Sequence, residues 1–239
     1  MERRNVALVG NNIQYSLSKK YFDKFHKDIR YEIVDTEFLS IALGGFVSQK
    51  FLGFNVTTPY KEQIKSYLDD YLSPSVNCVK ITKDGKMIGI STDGMAVVNL
   101  LKKRGIITED KCFKNVAILG NGGVTPAIIE ALDRYAKSFT IYCRNSRGDG
   151  IFSNLISKSI EWLTLYNHDL IINCIPFKAE IDLEILKSRN AIPFTYIDLN
   201  YAGPSLNLNY ARENPMCIAA IGGLDILYEQ AELSYKFWI

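Results

Sequence analysis

Val116-Ala117-Ile118-Leu119-Gly120-Asn121-Gly122-Gly123, continued by Thr125-Pro126-Ala127-Ile128-Ile129-Glu130-Ala131-Leu132, reads as a strand, a glycine turn and a helix. That is the order a dinucleotide-binding turn requires. Gly120 suits the tight turn, and the missing side chains at Gly122 and Gly123 let a pyrophosphate reach the backbone N–H groups at the helix N-terminus. The sixth position of a G-x-G-x-x-G pattern is Thr125, so Ala127 is expected to supply the close helix packing. The next strand, Phe139-Thr140-Ile141-Tyr142-Cys143, should end beside an adenosine ribose. An acidic residue usually stands near that point in NAD-binding units, whereas here Arg144-Asn145-Ser146-Arg147 follows. Guanidinium groups attract a 2′-phosphate that a carboxylate would repel, so NADP is the expected cofactor.

Working outward, short runs rich in Val, Ile and Phe alternate with segments of helical period along most of the chain. Strands are expected at 5–10, 31–35, 53–56, 76–82, 87–91, 116–120, 140–143, 170–174 and 196–199, with helices between them. Ser18 should cap a helix from Lys19, Thr58 one beginning at Pro59, and Asp93 or Gly94 should open a third running to Arg104. This βαβα rhythm implies parallel sheets covered on both faces by helices. The charged stretch Lys102 to Asn115 precedes the fresh strand at Val116, which places a domain boundary near residues 93–105.

Composition excludes several classes. With 239 residues, 47% apolar and 23% charged, the chain is long enough for one large or two small packed domains and too apolar to be disordered. A net charge of +2 without a basic cluster argues against nucleic acid as partner. No apolar run approaches the ~18 residues of a spanning helix, and Met-Glu-Arg-Arg followed by the short run Val6 to Val9 lacks a signal-length apolar region, so a cytoplasmic protein with no membrane partner is expected. The five cysteines, Cys78, Cys112, Cys143, Cys174 and Cys217, form no Cys-x-x-Cys pair and read as reduced buried thiols. Only His26 and His168 are present, too few for a histidine triad or metal cluster, and both are expected in surface or capping roles.

Further motifs bring a family into view. Tyr15-Ser16-Leu17-Ser18, Gly53-Phe54-Asn55-Val56-Thr57-Thr58-Pro59-Tyr60-Lys61, Val76-Asn77, Thr92-Asp93-Gly94, Gly120-Asn121-Gly122-Gly123, Asp198-Leu199-Asn200-Tyr201 and Gly223 to Gln230 occur in order over nearly the whole chain. In these blocks the sequence resembles the shikimate dehydrogenase family. The resemblance implies an α/β protein of two domains. Residues 1–93 would form an N-terminal α/β substrate domain completed by the C-terminal helix, 223–239, and residues 94–222 a Rossmann-like NADP-binding domain. It implies reversible reduction of 3-dehydroshikimate to shikimate by NADPH, in the cleft of a monomer or homodimer that needs no metal. Quinate or quinate/shikimate oxidation is the alternative of the same class, and a catalytically idle NADP-binding sensor the alternative of another.

By the same resemblance, Lys61 and Asp93 are the catalytic pair. Ser16 and Ser18 would meet the substrate carboxylate, and Thr57, Asn77, Tyr201 and Gln230 its hydroxyls or carboxylate. The cofactor would be held by Gly120, Asn121, Gly122, Gly123, Arg144, Asn145, Arg147, Ile175 and Gly223. Several small polar donors suit a polyhydroxylated acid, because a site that pairs each hydroxyl rejects analogues lacking one. Hydride transfer at an alcohol needs a group that takes the hydroxyl proton and returns it in reverse, and a lysine–aspartate pair supplies both. The chain departs from the family at Tyr15 for His, Lys19 for Pro, Ser91 for Asn, Pro126 for a basic residue and Asn145 for Thr or Ser. Asn173-Cys174-Ile175-Pro176-Phe177, expected near the nicotinamide, stands where the family tends towards Asn-Ala-Thr-Pro-x-Gly.

Overall fold

The computed structural model describes residues 3–164, 167–179, 181–187 and 192–239. The chain divides into two compact units, Met1–Ala96 with Tyr228–Ile239, and Val97–Leu227.

Unit 1 is built on β1 (Arg4–Gly10), α1 (Ser18–Phe25), β2 (Ile29–Asp35), α2 (Leu39–Ser48), β3 (Gly53–Val56), β4 (Asp70–Tyr71), β5 (Cys78–Ile81), β6 (Met87–Ile90) and the first turn of α3 (Thr92–Lys103). Its six-stranded sheet has the order β2-β1-β3-β5-β6-β4. β1 pairs in parallel with β2 and β3, whereas β5 runs antiparallel to both β3 and β6. The expected wholly parallel sheet is therefore mixed here: β5 and β6 are joined by a tight turn at Gly85, φ +83°, with no room for a crossover helix. Alternation along β1 sorts its side chains onto two cores. Ala7 and Val9 pack with Leu39, Leu43 and Phe46 of α2 and with Tyr60 and Ile64. Val6 and Leu8 pack with Tyr21 and Phe22 of α1 and with Ala231 and Trp238 of the last helix. Gly53 is glycine because a Cβ there would lie 2.5 Å from the Trp238 indole and 2.2 Å from the Val79 carbonyl.

Two local expectations fail in this unit. No helix starts at Pro59; the Thr58-Pro59 peptide is cis, and a short 3₁₀ segment, Gln63–Tyr67, follows instead. Tertiary anchoring overrides the proline signal: Tyr60 is buried and its hydroxyl donates to Thr36 O at 2.7 Å, which fixes the chain as a turn. Ser18 is the first residue of α1 rather than its cap, and the Ser16 hydroxyl accepts the Ser18 N–H at 3.3 Å.

Unit 2 contains the remainder of α3, then β7 (Val116–Leu119), α4 (Thr125–Leu132), β8 (Phe139–Cys143), β9 (Ile156–Ser159), β10 (Leu170–Asn173), β11 (Phe194–Asp198), α5 (Leu206–Glu213), β12 (Cys217–Ile221) and the start of α6 (Gly223–Trp238). All six strands are parallel, in the order β12-β11-β10-β7-β8-β9. That is the doubly wound 3-2-1-4-5-6 order, whose switch point falls between β7 and β10. The edge strands β9 and β12 escape sequence reading because their apolar residues face outward at Ile156 and Ile218, 62% and 60% exposed. On either side of β9 the described residues form 3₁₀ turns in place of α-helices, at Gly150–Asn154 before it and Ile160–Trp162 after it.

The thiols are free, and Cys78, Cys143 and Cys174 are buried, but Cys112 is exposed. Burial pushes the Cys78 thiol up to about 12, which leaves it an inert packing group. Neither histidine is a surface group. His26 closes α1 as its C-cap and its Nε2 lies 2.6 Å from Glu232 Oε1. His168 is buried against the Tyr142 hydroxyl at 3.0 Å, and burial lowers its pKa. Among the described residues no helix is long and apolar enough to cross a membrane.

Candidate active site

In unit 1 the chain leaves β1 towards α1 on one face of the sheet and leaves β3 towards Ile64 on the other. Adjacent parallel strands whose connections diverge leave a crevice beyond their carboxyl ends. Ser16 and Ser18 lie on the β1 side of that crevice, and Thr57 and Lys61 on the β3 side. The two sides are tied by backbone bonds, Thr57 N–H to Val9 O at 3.0 Å and Asn11 N–H to Thr58 O at 3.0 Å. Gly10 makes this approach possible, since a Cβ there would stand 2.6 Å from Thr57 Cγ2 and 2.9 Å from Thr58 O.

Lys61 Nζ donates to Asp93 Oδ2 at 2.6 Å, with the two side chains 19% and 11% exposed. The residue before Asp93 continues the cluster. Thr92 N–H donates to Asn77 Oδ1 at 2.7 Å, and Asn77 Nδ2 donates to Thr92 Oγ1 at 3.1 Å and to Gln230 Oε1 at 3.4 Å. Beneath it, Asn55 Nδ2 donates to Asn77 O at 3.1 Å and Ser234 Oγ at 2.9 Å, while Tyr31 donates to Asn55 Oδ1 at 2.9 Å. Ser16 Oγ and Ser18 Oγ stand 3.2 Å apart. Unit 1 thus gathers Lys61, Asp93, Asn77 and Gln230 into one connected polar cluster, with the Ser16–Ser18 pair at the neighbouring strand end. Thr92, Asn55 and Ser234 were not singled out from sequence, although Thr92 and Asn55 lie inside quoted motifs; Ser234 falls on α6 with no local signal. Ser91 Oγ is buried without a hydrogen-bond partner among the described residues.

Unit 2 places the glycine turn at its switch point. Gly120 has φ +96°, a conformation that favours glycine, and a Cβ there would lie 3.3 Å from the backbone of Cys174 and Ile175. Thr125 fills the third-glycine position as a buried residue whose hydroxyl donates to Gly120 O at 3.0 Å, and Ala127 is buried as expected for close packing. A Cβ at Gly122 would meet nothing within 4 Å. Open backbone at Gly122, with α4 starting just beyond, fits a pyrophosphate.

The turn is tied to the loop after β8: Asn121 Nδ2 donates to Asn145 O at 2.7 Å, and Arg147 Nη1 donates to Asn121 O at 3.3 Å. Arg144 is exposed beside it. Across the switch point, Ile175 is held at both its peptide groups, its N–H donating to Asn173 Oδ1 at 3.1 Å and its carbonyl accepting from Asn200 Nδ2 at 3.0 Å. Asp198, fully buried, accepts from Asn200 N–H at 2.9 Å, Asn173 Nδ2 at 3.4 Å and the Ser205 hydroxyl. Three donors compensate the buried carboxylate and lock the altered Asn173 to Phe177 loop. Gly223 closes this corner: a Cβ would sit 2.3 Å from Asn200 O. Tyr201 follows that locked strand end in unit 2. Asn200 and Asp198, unassigned from sequence, lie within the quoted Asp-Leu-Asn-Tyr block.

A glycine turn at the switch point of a doubly wound parallel sheet, in one chain with a lysine–carboxylate pair in a second α/β unit, defines a two-unit α/β protein of the Rossmann-like class. The family model described as the shikimate dehydrogenase substrate binding domain matches residues 8–79. A shikimate dehydrogenase (NADP(+)) of Staphylococcus epidermidis is 32% identical over 259 residues, covering 100% of this chain and 92% of its own. The protein of the same name in Methanococcus maripaludis is 29% identical over 263 residues, covering 98% and 90%. The solved chorismate mutase/shikimate 5-dehydrogenase fusion protein of Clostridium acetobutylicum superposes with a TM-score of 0.82 at 26% identity, over 100% of this chain and 92% of that one. The chain belongs to the shikimate dehydrogenase family.

Proposed function

We propose that this protein is an NADP-dependent shikimate dehydrogenase that interconverts 3-dehydroshikimate and shikimate, a step of aromatic amino-acid biosynthesis. The observation that carries the reading is the Lys61 Nζ to Asp93 Oδ2 contact of 2.6 Å, largely shielded from water, beside the Asn77, Thr92 and Gln230 cluster. We assign the substrate to unit 1 with its returning C-terminal helix, and the cofactor to the glycine turn of unit 2. Arg144 and the open backbone at Gly122 support NADP, with Asn121, Gly123, Asn145, Arg147, Ile175 and Gly223 as the remaining cofactor-side residues.

NADPH, when bound, supplies the hydride. Lys61 performs the complementary proton transfer, giving its Nζ proton to the carbonyl oxygen as that oxygen becomes an alkoxide, and in the reverse direction taking the hydroxyl proton. Asp93 holds Nζ in place through the bond that it already accepts and offers its second oxygen to a substrate hydroxyl. Ser16 and Ser18 pair with the substrate carboxylate, and Thr57, Asn77 and Gln230 with the remaining polar groups. Each such pairing, once buried, penalises a substrate that lacks the partner.

The test follows NADPH absorbance with 3-dehydroshikimate, then repeats the assay with 3-dehydroquinate and with NADH. The expected result is fast oxidation of NADPH with 3-dehydroshikimate. Turnover of 3-dehydroquinate alone would move the protein to quinate chemistry, and turnover of neither would reject an enzymatic role.

A further inference from the structure

Arg144 and Arg147 stand in one loop, yet their side chains are committed differently. Arg144 is exposed and makes no hydrogen bond or ion pair among the described residues. Arg147 grips Asp149 with both arms of its guanidinium, Nε to Oδ1 at 2.9 Å and Nη2 to Oδ2 at 2.6 Å. Its Nη1 reaches back to Asn121 O in the glycine turn at 3.3 Å, and its guanidinium carbon stands 4.8 Å over the Phe152 ring. The same loop is tied to the turn a second time by Asn121 Nδ2 and Asn145 O at 2.7 Å.

A guanidinium held bidentately by a carboxylate is, as a pair, close to neutral, and its fork is spent on a geometry that a phosphate would need for itself. A 2′-phosphate that engaged Arg147 would have to displace Asp149 or lie against its negative charge. A 2′-hydroxyl carries no charge and meets no such penalty. The Arg147 hydrogen bonds also hold the Asp149 carboxyl below its usual range, so the competing charge is present at neutral pH.

We propose that Asp149 is a specificity-determining residue which withholds Arg147 from the 2′-phosphate and leaves Arg144 to read it. The proposal rests on the NADP reading above and adds to it a built-in limit on the preference for NADPH over NADH.

Calorimetric titration of the full-length protein with 2′,5′-ADP and with 5′-ADP separates the possibilities without turnover. Asp149→Asn, at a side chain 67% exposed, leaves folding intact and should tighten 2′,5′-ADP roughly tenfold while 5′-ADP is unchanged. Arg147→Ala leaves Asp149 unneutralised and should weaken 2′,5′-ADP by about tenfold. Arg147→Ala combined with Asp149→Asn should return 2′,5′-ADP binding to within roughly threefold of wild type. A double variant as weak as Arg147→Ala, or an Asp149→Asn protein no tighter than wild type, would overturn the proposal while leaving the NADP reading intact. Wild-type protein that binds 2′,5′-ADP no better than 5′-ADP would overturn both.

Discussion

Gln230 Oε1 accepts a hydrogen bond from Asn77 Nδ2 at 3.4 Å across 153 positions of sequence. The last helix is therefore part of the polar cluster that contains Lys61 and Asp93, and whatever seats that helix also shapes the cluster.

The seat is Trp238, 2% exposed, whose Nε1 donates to Val79 O at 2.9 Å and whose ring lies against Phe22 and Tyr31. Trp238→Ala removes a large buried aromatic together with its indole hydrogen bond, so it should cost about 3–5 kcal/mol of stability in urea denaturation. A loss below about 1 kcal/mol would show that α6 is held elsewhere.

Two glycines of unit 2 should behave oppositely. Gly223→Ala drives a methyl group to 2.3 Å from Asn200 O and should lower stability by about 1–3 kcal/mol. Gly122→Ala adds a methyl group where nothing lies within 4 Å, so stability should hold while NADPH affinity falls, because the methyl occupies space reserved for pyrophosphate. Thermal melts paired with NADPH titrations distinguish the two.

α6 is also stapled to α1 by an acid-sensitive contact. Burial raises the Glu232 carboxyl, but hydrogen bonds from Tyr21 and His26 outweigh it and hold the group below its ordinary 4.5. A folded-state value below the unfolded one contributes stability above pH 4.5 that is lost as pH falls through the folded value. The gap in urea midpoint between wild type and Glu232→Gln should be widest near neutrality and should close on acidification below that pH. A gap that stays constant down to pH ~3 would remove Glu232 from the acid response.

Arg144→Ala should raise the Michaelis constant for NADPH about tenfold or more, the usual size of a lost charge-assisted phosphate contact, and barely alter that for NADH. Equal losses with both cofactors would detach Arg144 from the 2′-phosphate.

The parallel sheet of unit 2 was readable because its two innermost strands, Val116–Leu119 and Leu170–Asn173, are buried throughout and so carry runs of Val, Ile and Leu. The edge strands were not, since apolar residues on them, Ile156 and Ile218, face outward. The mixed sheet of unit 1 was misread as parallel because β5 and β6 look the same in sequence whichever way they pair; only the turn at Gly85 distinguishes them. The turn at Pro59 misled for a similar reason: a local helix-start pattern lost to the buried Tyr60 anchor. Lys61 and Asp93, 32 positions apart, were paired through the family resemblance, and no spacing rule would have brought them to 2.6 Å. Arg147 shows the reverse case, in which charge was legible but its commitment to Asp149 was not.

Steady-state kinetics of Lys61→Ala test the central claim most directly. Proton transfer by Lys61 belongs to the transition state, whereas binding is shared among Ser16, Ser18, Thr57, Asn77 and Gln230. Turnover should therefore fall ~10²-fold or more with a much smaller change in the Michaelis constant for shikimate. Ser16→Ala, which removes a contact made in ground and transition states alike, should do the opposite, weakening binding and sparing turnover. A Lys61→Ala protein with near-normal turnover and poor shikimate binding would contradict the account, making Lys61 a binding residue and leaving the proton transfer to another group.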